Sequence, residues 1–213
     1  MKNVCITSAL RTAVGSMGKS LKNVCADELG ASVIQKTVID SKIPEHEVDE
    51  IIMGQVLTGG SGQNPARQAA IKSGIPKEKP AYIVNQVCGS GIRSIVSGFQ
   101  SINSEDSKIV IAGGQESMSQ APHAIHLRDG KKLGDVELID TMIKDGLWDA
   151  FHGYHMGITA ENVAEKFQIT RAEQDKFALR SQEKALEAQK QNRFKKEIIN
   201  FKIKYKKAEI DFN

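Results

Sequence analysis

The segment VNQVCGSGIRSIVSGF, residues 84–99, places a cysteine where nucleophilic chemistry is favoured. Cys88 ends an apolar, β-prone run, and two glycines and a helical pattern follow it. The unpaired N–H groups at a helix start favour negative charge, so a thiol there loses its proton more readily and forms the nucleophilic thiolate. Gly89 and Gly91 leave room for a substrate or a neighbouring backbone. A buried structural cysteine is the alternative interpretation, because free cysteines are often part of a core.

The other cysteines and the histidines lack such a setting. Cys5 and Cys25 do not stand between a strand and a glycine-rich helix start, and we interpret both as core thiols. Three widely spaced cysteines favour neither a disulfide framework nor a zinc site, and they indicate a reducing, cytoplasmic location. Four histidines form two pairs, each three residues apart: His123 with His126, and His152 with His155. We expect no metal site, because no cluster of acidic residues or cysteines accompanies these pairs.

The composition excludes some classes of protein. Apolar residues make up 40% of the 213 and charged residues 26%, and no apolar run approaches the roughly 20 residues of a membrane span. The net charge is +3, and residues 193–207 concentrate seven Lys or Arg against one Glu. This segment is typical of a solvated edge strand protected by lysines, with a nucleic acid or a phosphorylated cofactor as the alternative. The short apolar runs make us expect no membrane partner. We also expect no nucleic-acid partner, since only 5% of residues are aromatic and could stack on bases.

Strand and helix patterns alternate over the first 115 residues. Strands are predicted at 4–9, 50–57, 81–87 and 108–114, and helices at 26–39, 65–73 and 92–102. The second helix has a clear start and end, with Asn64 as its cap, Pro65 at its first position and Gly74 beyond its last turn. The alternation predicts an α/β fold with a largely parallel sheet covered on both faces. Cys88 then lies at the carboxyl end of a strand, where ligands usually bind.

The pattern changes after Gly114. Residues 115–158 show no long or strongly periodic element, which is typical of a lid or a binding excursion. Two helices are predicted next, one capped by Thr159 and one opened by a capping box of Thr170 and Glu173. A half-buried strand with alternating apolar residues ends the chain, and its apolar positions are Ile199, Phe201, Ile203 and Tyr205.

The segment around Cys88 resembles the acyl-accepting cysteine motif of thiolases, and other segments match that family in the same order. They are ITSALRTAVGSMGKSL, GQVLTGGSGQNPARQAA, AGGQESMSQAPH and the long run from HLRDGKKLGD to AENVAEKF, which is similar to the loop domain of biosynthetic acetoacetyl-CoA thiolases. The likeness extends from Lys2 to about Ile210. It implies a thiolase-like mixed sheet with helices on both faces. It also implies an N-terminal α/β half-domain at 1–117 and an inserted loop domain at 118–213.

The resemblance implies acyl transfer with coenzyme A. The cysteine matching Cys88 accepts the acetyl group of acetyl-CoA, and a second acetyl-CoA then attacks that thioester to give acetoacetyl-CoA. Thiolysis is the reverse reaction. No metal or organic cofactor is implied, and coenzyme A is a substrate and product only. Three residues match positions that line the pocket for the pantetheine and acyl end: Leu147, His155 and Met156.

The resemblance also implies an oligomer and a second half. Residues 128–135, RDGKKLGD, match a loop that pairs dimers into tetramers, with a solvated charged loop as the alternative. In the family, a C-terminal half-domain adds a histidine in Gly-His-Pro, a second cysteine in Cys-x-Gly and an Asn-Glu-Ala-Phe segment, and these 213 residues contain none of the three motifs. We therefore expect a truncated or split thiolase that forms a homo-oligomer, dimer or tetramer, once the C-terminal half completes it.

Two alternatives remain at this point: a non-catalytic remnant or interaction subunit, and another acyl-enzyme such as a ketosynthase. The absence of a second half should also leave one face of the sheet and a strand edge open.

Overall fold

The computed structural model describes residues 3–205 and 208–212, with side chains over residues 3–202. Its centre is a sheet of three parallel strands, β1 (Glu50–Gly54), β2 (Ala81–Val84) and β3 (Val110–Gly114), in the order β2-β1-β3. The register places Gly54 beside Val84 on one side and beside Gly114 on the other. All three strands therefore end at the same edge of the sheet.

Two helices cover one face of this sheet. They are α1 (Ala26–Ser41) and α2 (Pro65–Lys72), which pack on each other and on the sheet. Small alanines on α2 and the aliphatic residues of α1 meet the odd-numbered residues of β1, and the core they form comprises Ala31, Ile34, Val38, Val48, Ile51, Met53, Ala66, Ala69, Ala70 and Ile75. A fully buried aliphatic side chain such as that of Ile51 contributes about 1.5–3 kcal/mol. This cluster is the main source of stability.

A single helix, α3 (Ser90–Asn103), covers the other face. Its buried residues recur every four positions and are all small, namely Ser90, Ser94 and Gly98. A Cβ at Gly98 would lie 3.0 Å from the side chain of Val110, so glycine allows the helix to approach β3 closely. The hydroxyl of Ser94 donates to the carbonyl of Gly113 at 2.7 Å and ties the helix to the same strand.

The apolar residues of α3 face away from the sheet. Ile92 is 72% exposed, and the other members of this stripe are also exposed: Ile95, Val96 and Phe99. The expectation that one face of the sheet is open is wrong, because its central residue Ile52 is fully buried beneath α3. The exposed apolar face is instead the outer side of that helix. An unpartnered apolar stripe of this kind is typical of an interaction surface.

The second part of the chain consists of short elements and two helices. They are β4 (His123–Ala124) paired with β5 (Ile139–Asp140), a π-helical turn at Met142–Leu147, α4 (Met156–Lys166), α5 (Arg171–Lys190), and a hairpin of β6 (Phe201–Tyr205) and β7 (Ala208–Phe212). The capping box of Thr170 and Glu173 opens α5 as predicted. The α/β class with helices on both faces is confirmed, and the described residues show antiparallel pairing in the two small ribbons and in a bridge of Trp148 with His155.

Several limits predicted from the sequence are wrong. The strands predicted at 50–57 and 81–87 end at Gly54 and Val84. Residues 4–9 form no strand, and the described part of this N-terminal segment pairs only through Arg11, which exchanges backbone hydrogen bonds with Glu197 and Ile199. Helix α4 begins at Met156 and not after Thr159, because the ring of His155 caps it four residues before that threonine.

The basic segment at 193–207 is only partly within the described residues. Ile199 is buried and Phe201 half-buried, which agrees with the predicted alternation. The side chains of Ile203 and Tyr205 and the residues Lys206 and Lys207 lie outside the described part of the chain.

Candidate active site

Cys88 lies in a tight turn that joins β2 to α3. Val87, the residue before it, has a φ of 49°, which is a left-handed conformation that β-branched residues rarely adopt. The amide of Gly89 donates to the carbonyl of Gln86 at 3.0 Å, and the amide of Ser90 donates to that of Val87 at 3.1 Å. The chain thus reverses within three residues and presents Cys88 directly before the first turn of the helix.

The thiol of Cys88 is accessible. The residue is exposed, so the alternative of a buried core cysteine is wrong. Cys5 and Cys25 are exposed as well, which corrects their interpretation as core thiols. Cys5 belongs to the N-terminal segment that forms no strand, and Cys25 is the residue that caps α1. Partial desolvation, followed by the charges of Glu28 and Asp27, raises the pKa of the Cys25 thiol.

Glycines at the strand ends let the start of α3 approach the sheet. A Cβ on Gly54 would lie 2.4 Å from the carbonyl carbon of Ser90 and 2.6 Å from the amide nitrogen of Gly91. Gly114 is less crowded, since a Cβ there would lie in ordinary contact, 3.5 Å from the Cα of Gly91. The close contacts at Gly54 are with backbone atoms, which cannot rotate away as a side chain can. The position of Cys88 therefore depends on the absence of a side chain at the end of β1.

A half-buried carboxylate, that of Glu116, fixes the loop beside the cysteine turn. Glu116 accepts hydrogen bonds from the amides of Val56 and Leu57 at 2.9 and 3.3 Å. Burial raises its pKa, although these backbone donors act in the opposite direction. The side-chain amide of Asn85 donates to the carbonyl of Val56 at 3.4 Å, and its oxygen accepts from the amide of Val87 at 2.9 Å. A continuous set of contacts thus connects Glu116 to the turn of Cys88.

The three predicted pocket residues lie together at one end of the excursion. Trp148 and His155 form an antiparallel bridge, which brings Leu147 near the pair of His155 and Met156. Leu147 is half-buried, whereas His155 and Met156 are exposed. A Cβ on the adjacent Gly146 would lie 3.6 Å from Leu57, so this turn packs against the loop that follows β1. The cluster therefore borders the sheet edge that carries Cys88.

The ring of His155 caps the start of α4. Its Nδ1 accepts the amide proton of Gly157 at 3.0 Å, so the neutral ring carries its own proton on Nε2. Two other histidines lie beside aspartates. His152 pairs with Asp149 at 3.0 Å, and His123 lies 3.9 Å from Asp140. Across the described residues, no group of three or more His, Cys, Asp or Glu could hold a metal ion.

Four residues of this site did not follow from the sequence alone: Asn85, Val87, Ser90 and Glu116. The Gly-Ser-Gly run after Cys88 signals a tight approach, but a left-handed valine has no sequence signature. Glu116 follows two glycines at a strand end, and that position is the only signal for it.

Comparison with known proteins assigns the chain to a family. Residues 4–213 match the N-terminal domain of thiolases. An acetyl-CoA acetyltransferase of Rhizobium meliloti is 56% identical over 98% of this chain and 53% of its own length. The cytosolic acetyl-CoA acetyltransferase of Rattus norvegicus is 50% identical over 96% of this chain and 52% of its own.

A solved structure agrees with these relatives. The crystal structure of the acetyl-CoA acetyltransferase of Bacillus anthracis matches 97% of this chain and 52% of its own, with a TM-score of 0.93 at 39% identity. The chain spans about half the length of the curated relatives it matches. Within residues 3–205 and 208–212, no helix combines the length and apolarity needed to cross a membrane. The chain belongs to the thiolase family, whose N-terminal domain it matches over almost its whole length.

Proposed function

We propose that this chain is the acyl-accepting part of a thiolase that interconverts acetyl-CoA and acetoacetyl-CoA. The observation that carries the proposal is the exposed thiol of Cys88 between β2 and the start of α3, inside a thiolase N-terminal domain. We assign residues 1–117 to the α/β half-domain that holds this cysteine. Residues 118–213 are assigned to the loop domain for coenzyme A and oligomerisation.

The first half-reaction transfers an acetyl group to the protein. The thiolate of Cys88 attacks the carbonyl carbon of acetyl-CoA, the bond from that carbon to the sulfur of coenzyme A breaks, and coenzyme A leaves as a thiolate that takes up a proton. The amides of Gly89 and Ser90 are already bonded within the turn, so the start of α3 favours the attacking anion through the dipole of the helix. A covalent thioester of this kind divides one difficult step into two easier ones.

The second half-reaction forms the carbon–carbon bond. A second acetyl-CoA loses a proton from its α-carbon, and that carbon attacks the carbonyl of acetyl-Cys88. The bond to Sγ of Cys88 breaks, acetoacetyl-CoA forms, and the cysteine returns as a thiolate. The groups that move the α-proton belong, by the family resemblance, to the half of the relatives that these 213 residues do not span. The proposal therefore assigns condensation to this chain together with that half.

The remaining assignments follow the same resemblance. Leu147, His155 and Met156 are proposed to contact the pantetheine and acyl end of the substrate, and the packing of the adjacent Gly146 against Leu57 supports this. Coenzyme A is the only cofactor-like molecule required, as substrate and product. We place the protein in the cytoplasm, as a homo-oligomer once the second half is present, with residues 128–135 as the contact between dimers.

Acetylation of the isolated chain tests the proposal. Incubation with acetyl-CoA followed by intact-mass measurement and peptide mapping should place one acetyl group on Cys88. The variant C88S should remain unlabelled, and C5S should be labelled as the wild type is, because Cys5 lies in the N-terminal segment outside the site. Equal labelling of C88S and the wild type would refute the assignment.

A non-catalytic interaction subunit is the second candidate. The exposed apolar stripe of α3 favours it, because such a surface needs a partner whether or not Cys88 is acetylated. Co-purification with a separately expressed thiolase C-terminal half, without acetyl transfer to Cys88, would support this function over the first.

A further inference from the structure

We infer that Ser90 is a positioning residue that holds Val87 in its left-handed conformation and thereby fixes Cys88 at the start of α3. The inference rests on the proposed role of Cys88 as the acyl acceptor. It assigns a role in the site to a residue that does not itself touch substrate.

Ser90 contacts both ends of the turn. Its hydroxyl donates to the carbonyl of Val87 at 2.6 Å and accepts from the amide of Gln86 at 2.9 Å. The residue is 4% exposed, so water does not readily replace either contact. One buried side chain thus binds the peptide group between Asn85 and Gln86 and the peptide group between Val87 and Cys88.

The conformation that Ser90 holds is unfavourable for the residue that adopts it. Val87 has a φ of 49°, and the branched Cβ of valine crowds the following carbonyl in this region. Glycine would adopt the same φ without this penalty. If the hydroxyl of Ser90 were removed, the carbonyl of Val87 would keep only the backbone hydrogen bond from the amide of Ser90 at 3.1 Å. The strain at Val87 would then favour rotation of the peptide toward the extended region, and the thiol would move with it.

Ser94 provides a matched comparison one turn further along the helix. It is also a buried serine of α3, and its hydroxyl donates to the carbonyls of Gly91 and Gly113 at 2.6 and 2.7 Å. Ser94 therefore ties α3 to β3 without contacting the turn before Cys88. Removal of its hydroxyl affects packing, whereas removal of the hydroxyl of Ser90 affects the conformation of the turn.

The test measures the alkylation rate of Cys88 by iodoacetamide in the full chain, with exposed Cys5 as the internal reference. The variant S90A should slow alkylation of Cys88 up to about fivefold relative to Cys5, because the thiol would leave the start of α3, where the helix dipole favours the attacking thiolate by up to about 1 kcal/mol. S94A should leave this ratio unchanged. The double variant S90A/V87G should restore the wild-type ratio, because glycine adopts the left-handed φ without help.

Two results would overturn the inference: S90A reacting like S94A, or S90A/V87G reacting no faster than S90A. If S90A alone does not fold, V87G and S90A/V87G carry the test, since the inference requires them to react at equal rates. Iodoacetamide does not involve coenzyme A. A failure of acetyl-CoA to label Cys88 would therefore count against the proposed function and leave this comparison intact.

Discussion

Replacing Gly54 by alanine should displace the nucleophile without touching it. The new Cβ would lie 2.4 Å from the carbonyl carbon of Ser90, and the amide nitrogen of Gly91 and the carbonyl oxygen of Ser90 would both be 2.6 Å away. Non-bonded carbon atoms are at their optimal separation at about 3.5–4.0 Å. The start of α3 must therefore move away from β1 by about 1 Å, and Cys88 lies two residues before the helix begins.

The cost follows from that displacement. Overpacking in a close-packed interior costs about 1–3 kcal/mol, so the free energy of unfolding of G54A should fall by that amount. A shift of about 1 Å in a reacting group can cost about a hundredfold in rate. Reactivity should therefore fall much further than the fraction of folded protein does.

Gly113 supplies the matched control on the neighbouring strand. A Cβ there would meet only the sulfur of Met53, at 4.0 Å, which is an ordinary contact. Urea unfolding and the rate of acetylation of Cys88 by acetyl-CoA should be compared among G54A, G113A and the wild type. G113A should resemble the wild type in both measurements. If G54A reacts as fast as G113A, then the close approach at Gly54 does not position the cysteine.

Three further changes test other parts of the structure. Burial raises the pKa of Glu116, so the protonated group stabilises the fold below the usual carboxyl range, and this contribution is lost as the pH rises through the raised pKa. E116Q should therefore gain stability relative to the wild type in urea titrations as the pH rises above the usual carboxyl range, and a constant difference would contradict this. Ile92 is 72% exposed, so I92S should change the free energy of unfolding by less than about 0.5 kcal/mol. Sedimentation velocity should show less self-association of I92S than of the wild type, because the exposed apolar stripe is reduced. Unchanged association would implicate another surface. The hydroxyl of Thr170 accepts a hydrogen bond from the amide of Glu173, so T170A should lose about 1 kcal/mol of capping free energy. Hydrogen exchange in the first turn of α5 should become about fivefold faster, while the exchange rates in α4 should not change.

The sequence was sufficient for the elements that carry their own signals. The strands β1 and β3 combine apolar runs with a glycine at their carboxyl ends, and α2 begins at Pro65 after the cap of Asn64 and ends before Gly74. The capping box at Thr170 likewise defined the start of α5. Each of these signals lies within a few residues of the feature that it predicts.

The wrong predictions depended on contacts distant in sequence or on unusual chemistry. Residues 4–9 have the composition of a strand, but the backbone pairing of this segment occurs at Arg11 with residues 197–199, which are far away in the chain. The start of α4 was misplaced because histidine is not among the preferred capping residues, yet the ring of His155 accepts the amide proton of Gly157.

The helix α3 explains why the sequence located the nucleophile but not its surroundings. Helical periodicity identifies an apolar face, and Ile92, Ile95, Val96 and Phe99 form one, but periodicity does not say what that face contacts. The sheet contacts the opposite row, which consists of small residues and permits a closer approach. That close approach brings the start of α3 against Gly54 and forces the reversal at Val87. The open apolar face and the strained cysteine turn are thus two consequences of one arrangement. Whatever covers the apolar face should also limit the movement of α3, and binding of the proposed second half should therefore increase the reactivity of Cys88.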